Sequence, residues 1–261
     1  VHGIVYYLLF SFGLTWAVEF AMIARGVRFE KPAPWAFRIL ITMFPALAAF
    51  VTRRWITREG FSDAGLRFGS WRPYVAVFVA VPSVFAAVHL LSWLLGLARL
   101  ELAPGMRLGL DPVLSTTMGP ILIAPLAFGE EFGWTGYLLP RLLPLGKWRA
   151  AFIYGFIWGL WHAPLVATGY NYPGYPVAGV LLMCVGTVVI GFHQTFLRLR
   201  YGSVLLTSWL HACINSQGIW RGFFVVIKPL LGGFLGVVGL VLIGLIGAYL
   251  LALSPEKEMQ A

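Results

Sequence analysis

Glu130 and Glu131 are adjacent carboxylates that follow an apolar run, Val113 to Phe128, which holds no charge. Two later apolar segments carry His162, in GFIWGLWHAPL, and His211 with Asn215, in TSWLHACIN. An ionisable group in hydrocarbon costs several kcal/mol, so carboxylates and imidazoles in three separate apolar segments point to one shared polar site. A buried carboxylate beside an imidazole can take a proton from water and pass it on, which is hydrolytic chemistry. Neighbouring helical residues lie about 100° apart, so Glu130 and Glu131 cannot both aim at one atom, and one acts while the other orients.

His211 and Asn215 are four apart and share a helix face. Both donate hydrogen bonds, as an oxyanion hole requires. Each group also has a plainer reading. Paired glutamates serve as an internal ion pair or a helix cap, a lone histidine such as His162 packs through a hydrogen bond, and a His/Asn pair holds helices together. Glu19, Arg38, His89 and His193 are isolated, and interfacial snorkelling or local packing accounts for them. Neither a P-loop, a G-x-S-x-G elbow nor an H-E-x-x-H zinc helix is present.

The elements that must position these groups are membrane helices. The chain has 261 residues, 59% of them hydrophobic and 11% charged, with a mean hydropathy of +0.83, outside the range of soluble proteins. Spans of about 20 apolar residues are expected at 4–24, 35–52, 74–98, 113–134, 150–168, 177–197, 203–220 and 230–253. This is an all-α polytopic fold of about eight transmembrane helices around an intramembrane polar cavity. It forms one domain over 1–261, with the motifs in a core at 128–216. Barrel-type alternation is absent, and the first run, from Ile4, reads as a span without a small-residue cleavage site. Gly155 with Gly159, and Gly232 with Gly236, have the four-residue spacing of close helix contacts. Cys184 and Cys213 lie in apolar segments and read as small buried hydrophobes.

The net charge of +9 gathers in short connections, which fits membrane topology and not nucleic acid. With the N-terminus inside, one side holds Arg53, Arg54, Arg58, Arg67, Arg72, Arg141, Lys147, Arg149, Arg198, Arg200 and Lys257. The other holds Arg25, Arg28, Lys31, Arg99, Arg107, Arg221 and Lys228. The bias predicts cytoplasmic N- and C-termini in the cell (inner) membrane. The uncharged GYNYPGYP stretch at 169–176, with three tyrosines, is expected to be an outer interfacial loop. Glu130 then lies about 25 Å along its span and His211 about 12 Å along its own, so both reach the cytoplasmic half of the bilayer.

The order E-E-x-x-x-R, F-x-x-x-H and H-x-x-x-N across an eight-helix protein resembles the CAAX prenyl protease and bacteriocin-processing (CPBP, or ABI) family of intramembrane proteases. Glu130 and Glu131 fit the first motif, His162 the second, His211 and Asn215 the third. Two positions depart from the pattern, Thr135 where the family has Arg and Trp158 where it has Phe. Arg141, past Pro140, is too far along to replace the missing arginine.

The resemblance implies an intramembrane endopeptidase that cuts near the C-terminus of a lipidated or membrane-bound peptide or protein, CAAX-type in the prenylated cases. It implies Glu130 and His162 as the water-activating pair, Glu131 as the orienting or second acid, and His211 with Asn215 as the oxyanion hole. Membrane lipid is the expected surrounding partner. No cofactor is expected to be required. The alternative is zinc, held by Glu130, His162 and His211. Two other readings compete: a binding or bacteriocin-immunity protein on the same fold, and a secondary transporter, against which the lack of an inverted repeat argues.

Overall fold

The computed structural model describes residues 2–29 and 35–254. Its helices are α1 (His2–Ala24), α2 (Trp35–Val51), α3 (Arg72–Leu94), α4 (Leu110–Gly133), α5 (Leu139–Leu142), α6 (Lys147–Trp161), α7 (Ala163–Ala167), α8 (Pro176–Tyr201), α9 (Val204–Asn215) and α10 (Val237–Leu253). Five helical stretches are long and apolar enough to cross a membrane: His2–Ala24, Ala36–Ile56, Arg72–Leu94, Leu110–Leu145 and Pro176–Tyr201. The fold is all-α apart from one antiparallel pair, β1 (Ala98–Leu100) with β2 (Phe224–Val226).

Three of the eight expected spans are shorter than drawn. The run at 150–168 is α6, of 15 residues, followed by α7, of five. The break falls at His162, whose N–H turns to Gly159 O, and Pro164 sits in the first turn of α7. The run at 203–220 is α9, of 12 residues, followed by a tight 3-10 turn over Gln217–Gly222. The run at 230–253 becomes helical only at Val237. Gly232 and Gly236 therefore lie in the turns ahead of α10 and do not form a helix-packing pair. α4, in contrast, outruns its expected end. It continues through a π-helical turn at Trp134–Leu138, then α5 and a 3-10 turn, to Leu145.

α6 packs on α8, α4 between α2 and α9, and α8 also against α10. Gly155 and Gly159 make the first contact possible. A Cβ on Gly155 would lie 2.6 Å from Val188 Cα, and one on Gly159 2.5 Å from Cys184 Cα, so the two backbones touch. Such small-residue contacts replace the hydrophobic drive that lipid does not supply. Cys184 and Cys213 are free and buried.

Two arginines counted as connection charges are core residues. Arg53 and Arg198 are both fully buried, in the π turn after α2 and the last turn of α8. Lys31 and Lys257, counted on opposite sides, lie outside the described residues. The tyrosine-rich loop is also less peripheral than expected. Tyr172 is buried and donates to Leu235 O at 2.8 Å, tying the loop to the turn before α10.

Candidate functional site

Every Glu131 oxygen is engaged. Oε1 accepts from Gln194 Nε2 at 2.7 Å and from His211 Nδ1 at 2.9 Å. Oε2 accepts from Thr135 Oγ1 at 3.0 Å. These partners come from α8, α9 and the π turn after α4, so one carboxylate fastens three helices together. Thr135 is also 2.7 Å from Thr207 Oγ1, and Tyr154 Oη hydrogen-bonds Gln194 Oε1. The network extends outward with no loose member.

The position where the resemblance expects arginine is thus filled by a hydroxyl that binds Glu131 itself. Positive charge still reaches this turn, from elsewhere in the chain. Arg198 Nε donates to Thr135 O at 2.9 Å and Arg53 Nη2 to Gly136 O at 2.9 Å. A π turn leaves carbonyls out of the regular ladder, and the two guanidinium groups take them up. Arg141 turns away from the carboxylates. It pairs with Glu59 and Asp63 and lies 3.7 Å over the Tyr137 ring.

Glu130 is held by far less. It is 5% exposed, and its one hydrogen bond comes from Trp158 Nε1 to Oε2, at 2.9 Å. Trp134 Nε1 faces it without reaching hydrogen-bond geometry. Oε1 has no hydrogen-bond partner among the described residues. Trp158 also organises the histidines. Its carbonyl faces His162 Nδ1 at 2.9 Å, and its ring meets His211 edge-on with centroids 5.3 Å apart. A carbonyl only accepts, so Nδ1 of His162 carries the proton and Nε2 presents a lone pair. His211 likewise gives its Nδ1 proton to Glu131. Its Nε2 donates only when the ring holds both protons, with Glu131 as the counter-charge.

Trp158 thus touches Glu130, His162 and His211, and His211 in turn bonds Glu131. Asn215 stands apart. It ends α9, is exposed, and its carboxamide makes no hydrogen bond among the described residues. As to metal, no three His, Cys, Asp or Glu side chains among the described residues gather closely enough to ligate one ion. Glu130, His162 and His211 do not fit a zinc site in this arrangement.

Residues 112–217 match the family model of Rce1-like type II CAAX prenyl endopeptidases. That interval contains all three motifs and the whole carboxylate network except Arg53. The motif-bearing segment is similar to that family. A curated relative of this Rce1-like segment, CAAX prenyl protease 2 of Methanococcus maripaludis, is 31% identical over 101 residues, which is 37% of this chain and 35% of that protein. The match spans about a third of the length of the curated relative.

Three roles at the site went unread in the sequence. Gln194 looks like an ordinary span residue, and Trp158, noted only as the aromatic of the second motif, gives no sign that its indole binds Glu130. Glu19 did have a signal. Tyr7, Ser11, Thr15 and Glu19 recur every fourth residue on α1, and all four are fully buried. The snorkelling account fails for Glu19, since both its oxygens lie inside the bundle. Local packing holds for His89 and His193, whose Nδ1 atoms bond carbonyls one turn back, Phe85 O and Val189 O.

On the same stretch of α4, that helix, α2 and the connection after α2 line an apolar cavity of about 550 Å³ that is largely open to the outside of the bundle. Met43, Leu47, Phe50, Phe61, Phe128 and Phe132 are among its walls. Phe128 and Phe132 flank the glutamates in sequence, so the cavity and the carboxylates share one stretch of α4.

Proposed function

We propose that this chain is an intramembrane endopeptidase that hydrolyses a peptide bond near the C-terminus of a membrane-bound, lipidated substrate. The observation that carries the reading is the asymmetry of the two carboxylates. Glu131 is engaged by Thr135, Gln194 and His211, while Glu130 keeps an oxygen free, and the Trp158 that donates to it also holds His162 by Nδ1 with Nε2 open. The match to the family model supports peptidase chemistry, and the apolar cavity on α4 suits a substrate with a hydrocarbon group.

Glu130 takes one proton from a water molecule while His162 Nε2 accepts a hydrogen bond from the same water and orients it. The water oxygen bonds to the scissile carbonyl carbon, whose π electrons move onto oxygen. His211 and Asn215 are the proposed donors to that oxyanion. Asn215, exposed at the end of α9, has to turn inward on substrate binding to serve. The carbon–nitrogen bond then breaks, and the protonated Glu130 returns its proton to the leaving amine. The carboxylic acid, which keeps the water's second proton, the amine and ionised Glu130 remain. No step requires a metal.

The test is cleavage of farnesylated CAAX peptides by the purified chain in proteoliposomes, read by mass spectrometry. Release of the last three residues is expected, and Glu130→Ala should abolish it. Near-normal cleavage by Glu130→Ala overturns the assignment. Activity should also survive a strong chelator. Loss on chelation, recovery on adding zinc and about one zinc per chain would replace carboxylate activation with metal activation.

A further inference from the structure

Hydrolysis at Glu130 needs water inside the bundle, and the apolar cavity on α4 offers it no hydrogen bonds. The opposite wall of the site does. Tyr7, Ser11, Thr15 and Glu19 form one face of α1, four residues apart, in a helix otherwise dominated by apolar side chains. Thr15 Oγ1 accepts from Trp161 Nε1 at 2.9 Å. The remaining atoms of the face, Tyr7 Oη, Ser11 Oγ and both Glu19 oxygens, have no partner among the described residues.

The wall that meets this face has orphans too. Tyr7 packs on Trp134 and Tyr137 with ring centroids 5.8 and 4.8 Å away, and neither Trp134 Nε1 nor Tyr137 Oη finds a partner. Each such atom destabilises the fold when left unsatisfied. Buried polar groups that lack protein partners are satisfied by water. Glu130 lies within electrostatic range of both Tyr7 and Glu19, the two ends of the face.

The outer end is equally polar. At Gly3 the α1 backbone comes so close to the wall that a Cβ would sit 2.7 Å from Tyr137 Oη. The Arg53 guanidinium lies 5.3 Å from the centre of the same Tyr137 ring, with its Nε unpartnered. Polar atoms thus continue from the charged cluster at the end of the bundle, past Tyr137 and Tyr7, to Ser11 and Glu19.

We propose that the buried polar face of α1 lines a water path that runs from the Arg53 cluster to Glu130. The path supplies the nucleophile to the reaction proposed above, and so rests on that reading for its purpose but not for its existence. Glu19 acts in it as a hydrogen-bonding wall. An amide serves there as well as a carboxyl.

The test is thiol labelling in proteoliposomes with methanethiosulfonate ethylammonium, which attacks only the thiolate that water access permits. The native chain, whose two cysteines are buried, sets the baseline. Ser11→Cys and Thr15→Cys should label at least about tenfold faster than Leu9→Cys and Leu14→Cys on the exposed face of α1. Labelling no faster than at Leu9 overturns the path, whatever the activity. The kinetic arm uses Glu19. Glu19→Leu should lower kcat about tenfold with little change in KM, and Glu19→Gln should restore it. If Glu19→Gln loses as much as Glu19→Leu, the carboxyl carries a proton and the wall role is wrong. Fast labelling in a chain that cleaves no peptide leaves the path standing and tells against the peptidase reading instead.

Discussion

Glu130 and Glu131 are neighbours in sequence and opposites in setting. Glu131 spends every lone pair it can on Thr135, Gln194 and His211, from three different elements. Glu130 has one hydrogen bond among the described residues and lies within electrostatic range of Tyr7 and Glu19, on a face of α1 where only Thr15 is partnered among those residues. In a medium without water, a saturated carboxylate is a fastening and an under-satisfied one is a cost that persists only where it serves the chemistry. On the function proposed above, the difference teaches that saturation, more than burial or charge, separates the structural carboxylate from the reacting one.

The sharpest way to break this contrast is to remove charge from each glutamate with little change of shape. Glu130→Gln should cut turnover by about a thousandfold or more, the scale of a general base, and leave unfolding in a denaturing-detergent titration nearly unchanged. Should Glu130→Gln unfold the chain while Glu131→Gln stays active, the roles are reversed. Truncating the fastening should do the opposite damage. Glu131→Leu leaves His211, Gln194 and Thr135 facing a hydrocarbon side chain, and the loss should be about 3–5 kcal/mol in the same titration. A loss within about 0.5 kcal/mol, the range of an ordinary surface substitution, would show the network to be incidental.

A smaller change sharpens the question of the missing arginine. Thr135→Val keeps the shape of the side chain and removes its bonds to Glu131 and Thr207. The expected cost is about 1 kcal/mol, since a helix-to-helix hydrogen bond in a bilayer averages less than that and one such bond, to Thr207, is lost along with a local one to Glu131. Turnover should fall only modestly, because Glu131 keeps Gln194 and His211. A collapse of activity with stability intact would mean that Thr135 orients the reacting groups directly.

How far all this could be read from the sequence depends on the kind of signal each residue left. Glu130, Glu131, His162 and His211 were legible because a charge or an imidazole in an apolar run has few innocent explanations. The roles of Gln194 and Trp158 were not, since they arise where α6, α8 and α4 meet, although Trp158 was noted as a motif position. Glu19 was misread when taken singly, although its four-residue spacing from Thr15, Ser11 and Tyr7 was there to be counted. Arg53 and Arg198 were assigned to connections by position alone, yet they bind the carbonyls of a π turn that no local pattern announced. The antiparallel pair of β1 and β2 joins residues more than a hundred positions apart, and three-residue strands carry too little periodicity to find.

The charged end of the bundle allows the mildest test of the same contrast, because it is a saturated site that water can reach. Asp63 accepts from Arg53 Nη1 at 2.6 Å and from Arg53 Nη2 at 3.0 Å, with Arg141 Nη1 3.6 Å away. Partial burial pushes the Asp63 carboxyl up, but the hydrogen bond and charge of Arg53 and the charge of Arg141 outweigh it and hold it below its ordinary value of 3.8. A carboxyl depressed in the folded state stabilises the fold fully above its unfolded value, and that contribution is lost as pH falls through the folded one. The thermal midpoint in detergent should therefore hold from neutral pH down to about pH 5 and fall more steeply below about pH 4. Asp63→Asn should lower the midpoint at neutral pH and flatten the acid slope, because the amide cannot lose the charge that pairs with Arg53. An acid slope unchanged by Asp63→Asn would assign the acid sensitivity to other carboxyls and leave the Arg53 cluster as packing alone.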